Sequence, residues 1–198
     1  ASQGSIRAQG GIQLGSGLVE GSLSWMKWPI LRSPPRSYGG GIPLHSLQLR
    51  GAMHQRPGRD EMLLGLAEPG PPPLDQNARI LFKGAASLQE PLQQDIQVTK
   101  AGTAKVPTTA TLNPQNVRVM LTASNGLFSG TFRYLDEHPF DPRKPKILRN
   151  GLFRGLVIRR PGLDQGIGYF TLPRLPEDPA ESPSATPILS GMAELLPP

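Results

Sequence analysis

The sequence contains no cysteine, and it is poor in charged and aromatic residues. Only 18% of its 198 residues are charged and 6% are aromatic. The absence of cysteine excludes disulfides, cysteine-ligated zinc sites and cysteine nucleophiles. The modest charge is also unlike that of a highly charged disordered tail. We therefore expect a folded chain that is stabilised without cross-links.

Long apolar runs and helical periodicity are missing as well. No apolar run approaches the ~18 residues that a membrane-spanning helix requires, and no stretch combines apolar residues at helical spacing with capping residues. The chain begins with alanine and shows no signal peptide, so it is either a mature secreted protein or a part of a longer one. The sequence therefore predicts neither a membrane span nor a helix.

Glycine and proline are abundant instead, with 23 of each. They fall between short apolar runs, which is the arrangement expected of turns between strands. The 21 basic and 15 acidic residues give a net charge of +6, which fits either a polyanion partner or a basic solvated surface. One basic cluster, Arg143, Lys144, Lys146 and Arg149, contains no interleaved aromatic residues, so nucleic-acid binding is not expected.

Three sequence blocks recur in the same order in the two halves of the chain, which indicates duplication. The matching blocks are Gly17–Leu23 with Gly126–Phe132, Arg50–Asp60 with Arg154–Asp164, and Gly84–Leu88 with Gly191–Leu195. We predict one β-rich repeat over residues 1–92 and a second over 117–198, joined by a connector over 93–116. The two copies could together form one pseudo-symmetric domain.

The first block predicts a hairpin in each copy. In the second copy, Val117–Ala123 alternates apolar and polar residues, Asn125-Gly126 takes the turn, and Phe128–Tyr134 alternates again. This period of two is typical of half-buried antiparallel strands. Gly130 falls on the inward face, which indicates a close backbone approach in a curved sheet or barrel. The first copy repeats the alternation over 8–14 and 19–25.

The second and third blocks predict the remaining strands of each copy. The strands are Leu49–Gln55, Met62–Ala67 and Ile80–Leu88 in the first copy, Leu152–Arg159, Ile167–Leu172 and Ile188–Leu195 in the second, and one at Ile96–Thr99 between them. Pro57-Gly58 and Pro161-Gly162 suit type II turns between two of the strands of each copy. The predicted fold is all-β, an antiparallel barrel or sandwich of two copies of about five strands with long Pro-rich loops.

The second half resembles a repeat of large secreted and cell-surface proteins of bacteria. That repeat reads N-G-L-F-S-G-x-F and R-x-F-x-G-L-L, followed by G-x-G-x-F and S-G-x-V-x-L. The matching residues here are Asn125–Phe132, Phe153–Val157, Gly166–Phe170 and Ser190–Leu195. The resemblance implies an all-β module, an extracellular or bacterial cell-surface location and a role in a larger assembly. It implies no catalytic residue.

No motif in the sequence indicates catalysis, a metal or a cofactor. His45, His54 and His138 lack metal-ligand spacing, and the acidic run 136–141 lacks the glycine and final glutamate of a calcium loop. There is no G-x-S-x-G motif, and Gly166-Ile167-Gly168 lacks the third glycine of a dinucleotide site. The sequence therefore predicts that the protein is not an enzyme and has no cofactor.

Two functions remain from different classes. The favoured one is a structural or assembly module that binds a protein partner or itself. The alternative is a β-module that binds an anionic glycan or another polyanion. Because rigid scaffolds often bind through their loops, the candidate partner-binding residues are Trp28, Arg32, Arg36 and Tyr38 in and beside the loop 29–43.

Overall fold

The computed structural model of the chain describes residues 12–15, 18–32, 36–70, 76–84, 88, 90–160 and 163–198. These residues form eleven β-strands, one short 3-10 turn and no α-helix, so the all-β prediction is confirmed. The strands are β1 (Ile12–Gly15), β2 (Leu18–Lys27), β3 (Ile42–Ala52), β4 (Ala78–Lys83), β5 (Leu92–Val98), β6 (Ala104–Lys105), β7 (Arg118–Thr122), β8 (Leu127–Glu137), β9 (Lys146–Arg160), β10 (Leu163–Pro173) and β11 (Ile188–Leu196). No helix in this part of the chain could span a bilayer.

The strands form two antiparallel sheets. The smaller sheet has the order β1-β2-β3, and the larger one has the order β6-β5-β4-β11-β10-β9-β8-β7. The two end strands of the larger sheet, β6 and β7, approach each other, and next to them Gly102 packs directly against Ala123. The larger sheet is therefore a nearly closed barrel, which decides between the barrel and the sandwich that the sequence left open.

Five phenylalanines fill the barrel. They are Phe82, Phe128, Phe132, Phe153 and Phe170, and none is more than 1% exposed. The Phe82 ring stacks on Phe132 at a centroid distance of 4.5 Å and meets Phe170 edge-on at 5.7 Å. Both arrangements are favoured by the ring quadrupole. The inward positions of Phe128 and Phe132 predicted from the alternation are thus confirmed.

Glycines on the inner face make room for these rings. A Cβ added to Gly130 would lie 2.5 Å from Phe153 Cζ, and one added to Gly151 would lie 2.8 Å from Phe132 Cδ1. Such distances are far below van der Waals contact, so a side chain there would displace a ring. The close approach predicted at Gly130 is confirmed.

The turn between β7 and β8 differs in detail from the predicted two-residue hairpin. Thr122 pairs with Leu127, so the loop has four residues, and the amide of Gly126 donates to the carbonyl of Thr122 at 2.9 Å. Gly126 has a φ of +69°, whereas Asn125 stays outside the positive-φ region. The Asn125 side chain instead accepts a hydrogen bond from the Leu127 amide at 3.0 Å.

The predicted strand Met62–Ala67 does not form. The chain makes a 3-10 turn at Leu63–Gly65, and the buried side chains of Met62, Leu63, Leu64 and Leu66 join the same hydrophobic core as the phenylalanines. We call residues 62–66 the plug. Alternation alone cannot distinguish a half-buried strand from an irregular segment that buries most of its side chains.

One strand pair in each half has a similar register around the predicted repeat positions. Gly21 lies opposite Leu49 in the β2–β3 pair, and Gly130 lies opposite Phe153 in the β8–β9 pair. Gly130 is the repeat equivalent of Gly21, and Phe153 precedes Arg154 as Leu49 precedes Arg50. The larger sheet nevertheless combines β4 from the first predicted copy with β5 and β6 from the connector. Duplication and the three-part division stay predictions.

The smaller sheet buries its apolar residues less completely than the barrel does. Val19, Leu23 and Trp25 are half-buried, whereas Phe128 and Phe132 are fully buried and Tyr134 packs against the edge of the core. Residues that the alternation predicts to face inward are therefore fully buried only in the barrel. The barrel is nearly closed, so strands surround its inner face on all sides.

Candidate functional site

The four candidate residues around the loop 29–43 divide into two groups. Trp28 is 58% exposed, and Arg32 is also exposed. Arg36 donates from Nε to the carbonyl of Thr186 at 2.8 Å, and the Tyr38 hydroxyl hydrogen-bonds the Ser190 hydroxyl. The structure therefore leaves Trp28 and Arg32 accessible and engages Arg36 and Tyr38 with the protein's own chain.

Backbone contacts reinforce this attachment. Ser37 forms a parallel bridge with Ile188, and the Ile188 amide donates to the carbonyl of Arg36 at 2.8 Å. The Lys27 ammonium donates to the carbonyl of Tyr38 at 3.1 Å. We call the set of contacts that connect residues 36–38 with residues 186–190 the clasp. The clasp fixes the loop between β2 and β3 beside the first residues of β11.

A groove of about 480 Å³ opens beside the clasp. Its floor includes Leu148, Leu152 and Thr171 on the outer side of the barrel, and its walls include Arg36 and Arg174. The Arg174 guanidinium is held by Glu177 and Glu181 at 2.5 and 3.1 Å. Glu177 and Glu181 thus offset the positive charge of Arg174. The floor of the groove is mainly aliphatic.

The groove lies at one end of a wider apolar surface on the barrel. We call this surface the apolar outer face. Its members are all between 44% and 59% exposed, and they are Leu127, Leu135, Leu148, Leu152, Leu156, Tyr169 and Met192. Strand pairing makes them neighbours, because Leu127 lies opposite Leu156, Leu135 opposite Leu148 and Tyr169 opposite Met192. The seven side chains are spread over β8, β9, β10 and β11, with the outward residues Thr131, Asn150 and Arg154 among them.

Three exposed arginines, Arg118, Arg133 and Arg154, lie on the same side of the barrel as the apolar outer face. Arg154 lies opposite Tyr169, and Arg118 lies opposite Thr131, two residues from Arg133 along β8. In the described part of the chain, none of the three forms an ion pair with an acidic side chain. The lysines in this region are paired at the rim, Lys83 with Glu194 and Lys146 with Glu137.

This surface was not predicted from the sequence. Along β9, Leu148, Leu152 and Leu156 alternate with the inward Gly151 and Phe153, so both sides of the strand are apolar. A strand with two apolar sides normally indicates burial on both faces. One feature of the sequence could have shown which side of β9 faces inward, namely the small size of inward residues such as Gly151. Glycines that accommodate large rings mark the inner side of a curved sheet.

One residue of the basic cluster identified in the sequence, Arg149, does not lie on the surface. Arg149 is only 3% exposed and lies inside the barrel, where its Nε donates to Asp136 at 2.6 Å and its Nη1 donates to the carbonyl of Pro173 at 2.7 Å. The guanidinium lies over the Tyr134 ring, 5.3 Å from its centroid. Burial and the neighbouring Asp136 raise the pKa of Tyr134. Arg149 is therefore part of the interior and not of the basic surface.

The histidines whose side chains are described have local roles. His54 Nε2 hydrogen-bonds the carbonyl of Ala123 at 2.8 Å, and His138 Nδ1 accepts from the amide of Asp141 at 3.0 Å. The Asp141 carboxylate in turn accepts from the Arg143 amide at 3.0 Å. Within the described residues, no three His, Asp or Glu side chains are grouped closely enough to hold a metal ion.

No protein-family model, curated protein or solved structure matches this chain. The resemblance to the bacterial surface-protein repeat therefore stays an expectation from the residues that carry it.

Proposed function

We propose that this protein is a non-enzymatic structural or assembly module that binds other protein surfaces through its apolar outer face. The observation that supports this is the exposure of seven large apolar side chains on the same side of four neighbouring strands. They lie within an area of roughly 400 Å², given by four strands about 4.8 Å apart and about eight residues at about 3.3 Å each, which also contains polar side chains. Groups of exposed large apolar side chains rimmed by polar residues often mark interaction sites.

The composition of the face supports a protein partner. Arginine, tyrosine and methionine are enriched at the centres of protein interfaces, and lysine and glutamate are depleted there. Arg154 and Tyr169 lie opposite each other on the two central strands of the apolar outer face, and Met192 lies beside Tyr169 on β11, whereas Lys146 and Glu137 lie at its end. A partner with an apolar surface and carboxylates opposite Arg118, Arg133 and Arg154 would complement it.

The proposed setting is a bacterial cell surface or an extracellular complex. It is supported by the likeness of the second half to repeats of large secreted proteins. The absence of cysteine is compatible with this setting, because a chain of 198 residues can bury enough surface without disulfides, roughly 70% of that of the unfolded chain.

The test places a photo-activatable amino acid at position 152 of the full chain in the producing cell. The matched control places it at Leu44, which is 67% exposed on β3 and lies outside the apolar outer face. Trp28 provides a third position, in the candidate loop. We expect covalent protein adducts, with a second copy or with another protein, from position 152 and few from position 44.

A double variant, Leu148→Ser with Leu152→Ser, should abolish the adducts formed from position 156 while preserving the melting temperature, because both side chains are exposed. Leu44→Ser with Leu112→Ser is the control for a general loss of surface hydrophobicity. Equal adduct yields from positions 44 and 152 would contradict the assignment of the face. Adducts formed only from position 28 would place the interface on the loop instead.

A further inference from the structure

A second cleft lies away from the apolar outer face, where the segment leaving β3 meets two turns of the barrel. It has a volume of about 350 Å³. Its lining includes Arg56, Gly58 and Arg59 from that segment, Lys100 from the turn between β5 and β6, and Ala123 from the turn between β7 and β8. Three cationic side chains therefore meet at one concave surface.

The acidic residues nearest to the cleft are already engaged. Asp60 and Glu68 pair with Lys100 at 3.4 and 3.3 Å. Glu61 pairs with Arg159 at 3.6 Å and accepts the Gly58 amide at 3.2 Å. Among the described residues, no acidic side chain pairs with Arg56 or Arg59. Both arginines are exposed, and the three cationic side chains of the cleft exceed the two carboxylates that pair with Lys100 by one positive charge.

The turns that form the cleft are held in place by hydrogen bonds. His54 Nε2 bonds the carbonyl of Ala123 at 2.8 Å, which ties the segment before Arg56 to the β7–β8 turn. The Gly102 amide donates to the carbonyl of Thr99 at 2.8 Å, and the two hydroxyls of Thr99 and Thr103 lie 2.7 Å apart. The cleft is thus formed before any ligand binds, which lowers the entropic cost of binding.

These features identify the class of ligand. An arginine presents several N–H donors in a planar fork that matches two oxygens of one oxyanion. Among the described residues, no aromatic side chain lines the cleft, whereas single-stranded nucleic acids are usually held by stacking of their bases on aromatic rings. We propose that Arg56 and Arg59 bind the sulfate or other oxyanion groups of an anionic polysaccharide. This activity is independent of the proposed assembly function.

The repeated motif supplies one of the charges of the cleft, Arg56, whereas the position of Arg59 is occupied by Leu163 in the second copy. Arg56 and Asp60 recur as Arg160 and Asp164, and an Arg and an Asp that flank a turn can form either a ligand site or a local ion pair. In the first copy Asp60 pairs with Lys100 and not with Arg56, so the local ion pair is not formed there. The segment after the turn ends in the plug rather than in a strand, which leaves Arg56 and Arg59 beside the barrel.

The experiment measures retention of the full protein on immobilised heparin and the dissociation constant for heparin at several salt concentrations. In the variant Arg56→Ala with Arg59→Ala we expect affinity to fall by roughly tenfold or more, because the charge-assisted hydrogen bonds of two guanidinium groups are lost. We also expect a weaker dependence on salt, since fewer ion pairs form. Arg118→Ala with Arg133→Ala removes the same charge elsewhere and should retain most of the affinity.

Further ligands separate the sources of the oxyanion. We expect inorganic sulfate to compete with heparin only at high concentration, and uncharged dextran to show no binding. Equal loss of affinity in the two double variants would overturn the proposal, because it would show binding by overall charge. Tighter binding of single-stranded DNA than of heparin would overturn the assignment to a polysaccharide. A lack of photo-adducts from position 152 would contradict the proposed assembly function and would leave the proposal for the cleft unaffected.

Discussion

Phe132 is the residue on which the interior of the barrel depends most directly. Its ring stacks on Phe82, meets Phe170 at 5.7 Å and covers Gly151. Phe132→Ala should lower the free energy of unfolding by about 3–5 kcal/mol, because a large cavity replaces the ring. Urea denaturation followed by intrinsic fluorescence measures the change.

The matched control for this variant is Phe140→Ala. Phe140 is 40% exposed in the turn between β8 and β9 and lies outside the core. Its removal should change the free energy of unfolding by less than about 1 kcal/mol. Similar urea midpoints for the two variants would show that Phe132 is not a core residue.

Tyr134 links stability to alkaline pH. Burial, followed by the charge of Asp136, raises its pKa above the ordinary value of 10.0. The folded protein therefore retains this proton when the unfolded chain has already lost it. The resulting stabilisation is fully present below the unfolded pKa and is lost as the pH rises through the higher folded pKa.

We expect the urea midpoint to decline more steeply above pH 10 in the native protein than in Tyr134→Phe, which has no phenolic proton. Tyr169→Phe, on the exposed outer side of the barrel, is the control and should decline as the native protein does. Identical pH profiles for the native protein and Tyr134→Phe would exclude this role.

At the scale of single residues, the sequence predicted some positions well and misplaced others. Period-two alternation located Phe128 and Phe132 correctly, since a strand directs successive side chains to opposite faces. The alternation did not predict that Arg149 is buried. Its burial depends on Asp136, which the β8–β9 register brings opposite Ile147, two residues from Arg149. A charged residue becomes tolerable in a core only after tertiary pairing supplies its partner.

The plug is the element whose role is clearest from its burial. Leu63 is 1% exposed, and Leu64 is 3% exposed despite a positive φ of 59°. Leu63→Ala should cost about 2–5 kcal/mol of unfolding free energy, because the plug contributes to the same core as the barrel strands. Leu31→Ala, at a position that is 90% exposed, should have almost no effect.

Chemical denaturation of both variants checks this expectation, and equal stability would mean that the plug does not support the barrel. The same element shows where strand prediction failed. Met62–Ala67 follows Pro57-Gly58 as Ile167–Leu172 follows Pro161-Gly162, yet only the second segment lies in a strand. Similar local sequences adopt different structures when different tertiary surfaces are available to bury them.

The clasp determines how the smaller sheet is attached to the barrel. Its side-chain bonds, Arg36 to Thr186 and Tyr38 to Ser190, connect the β2–β3 loop with the region around the start of β11. In the variant Arg36→Ala with Tyr38→Phe, we expect faster amide hydrogen exchange at residues 37–41 and 186–190. The melting temperature should change little, because the phenylalanine core is untouched.

Arg32→Ala with Trp28→Phe is the control for the clasp, since both positions are exposed and lie outside these contacts. Exchange at residues 186–190 should be unchanged in that variant. If the clasp variant exchanges at the native rate throughout, the attachment of the loop does not depend on these two side chains.

The sequence by itself determined the strand-forming pattern, the turn at Asn125-Gly126 and the inward glycine at position 130, because these depend on local geometry: alternation, backbone freedom and the space above a missing side chain. Only the tertiary structure decided that eight strands nearly close into a barrel, that residues 62–66 become its plug and that Leu148, Leu152 and Leu156 face outward. Those outcomes depend on which surfaces meet, because alternation in a strand that is apolar on both sides does not show which side will be enclosed.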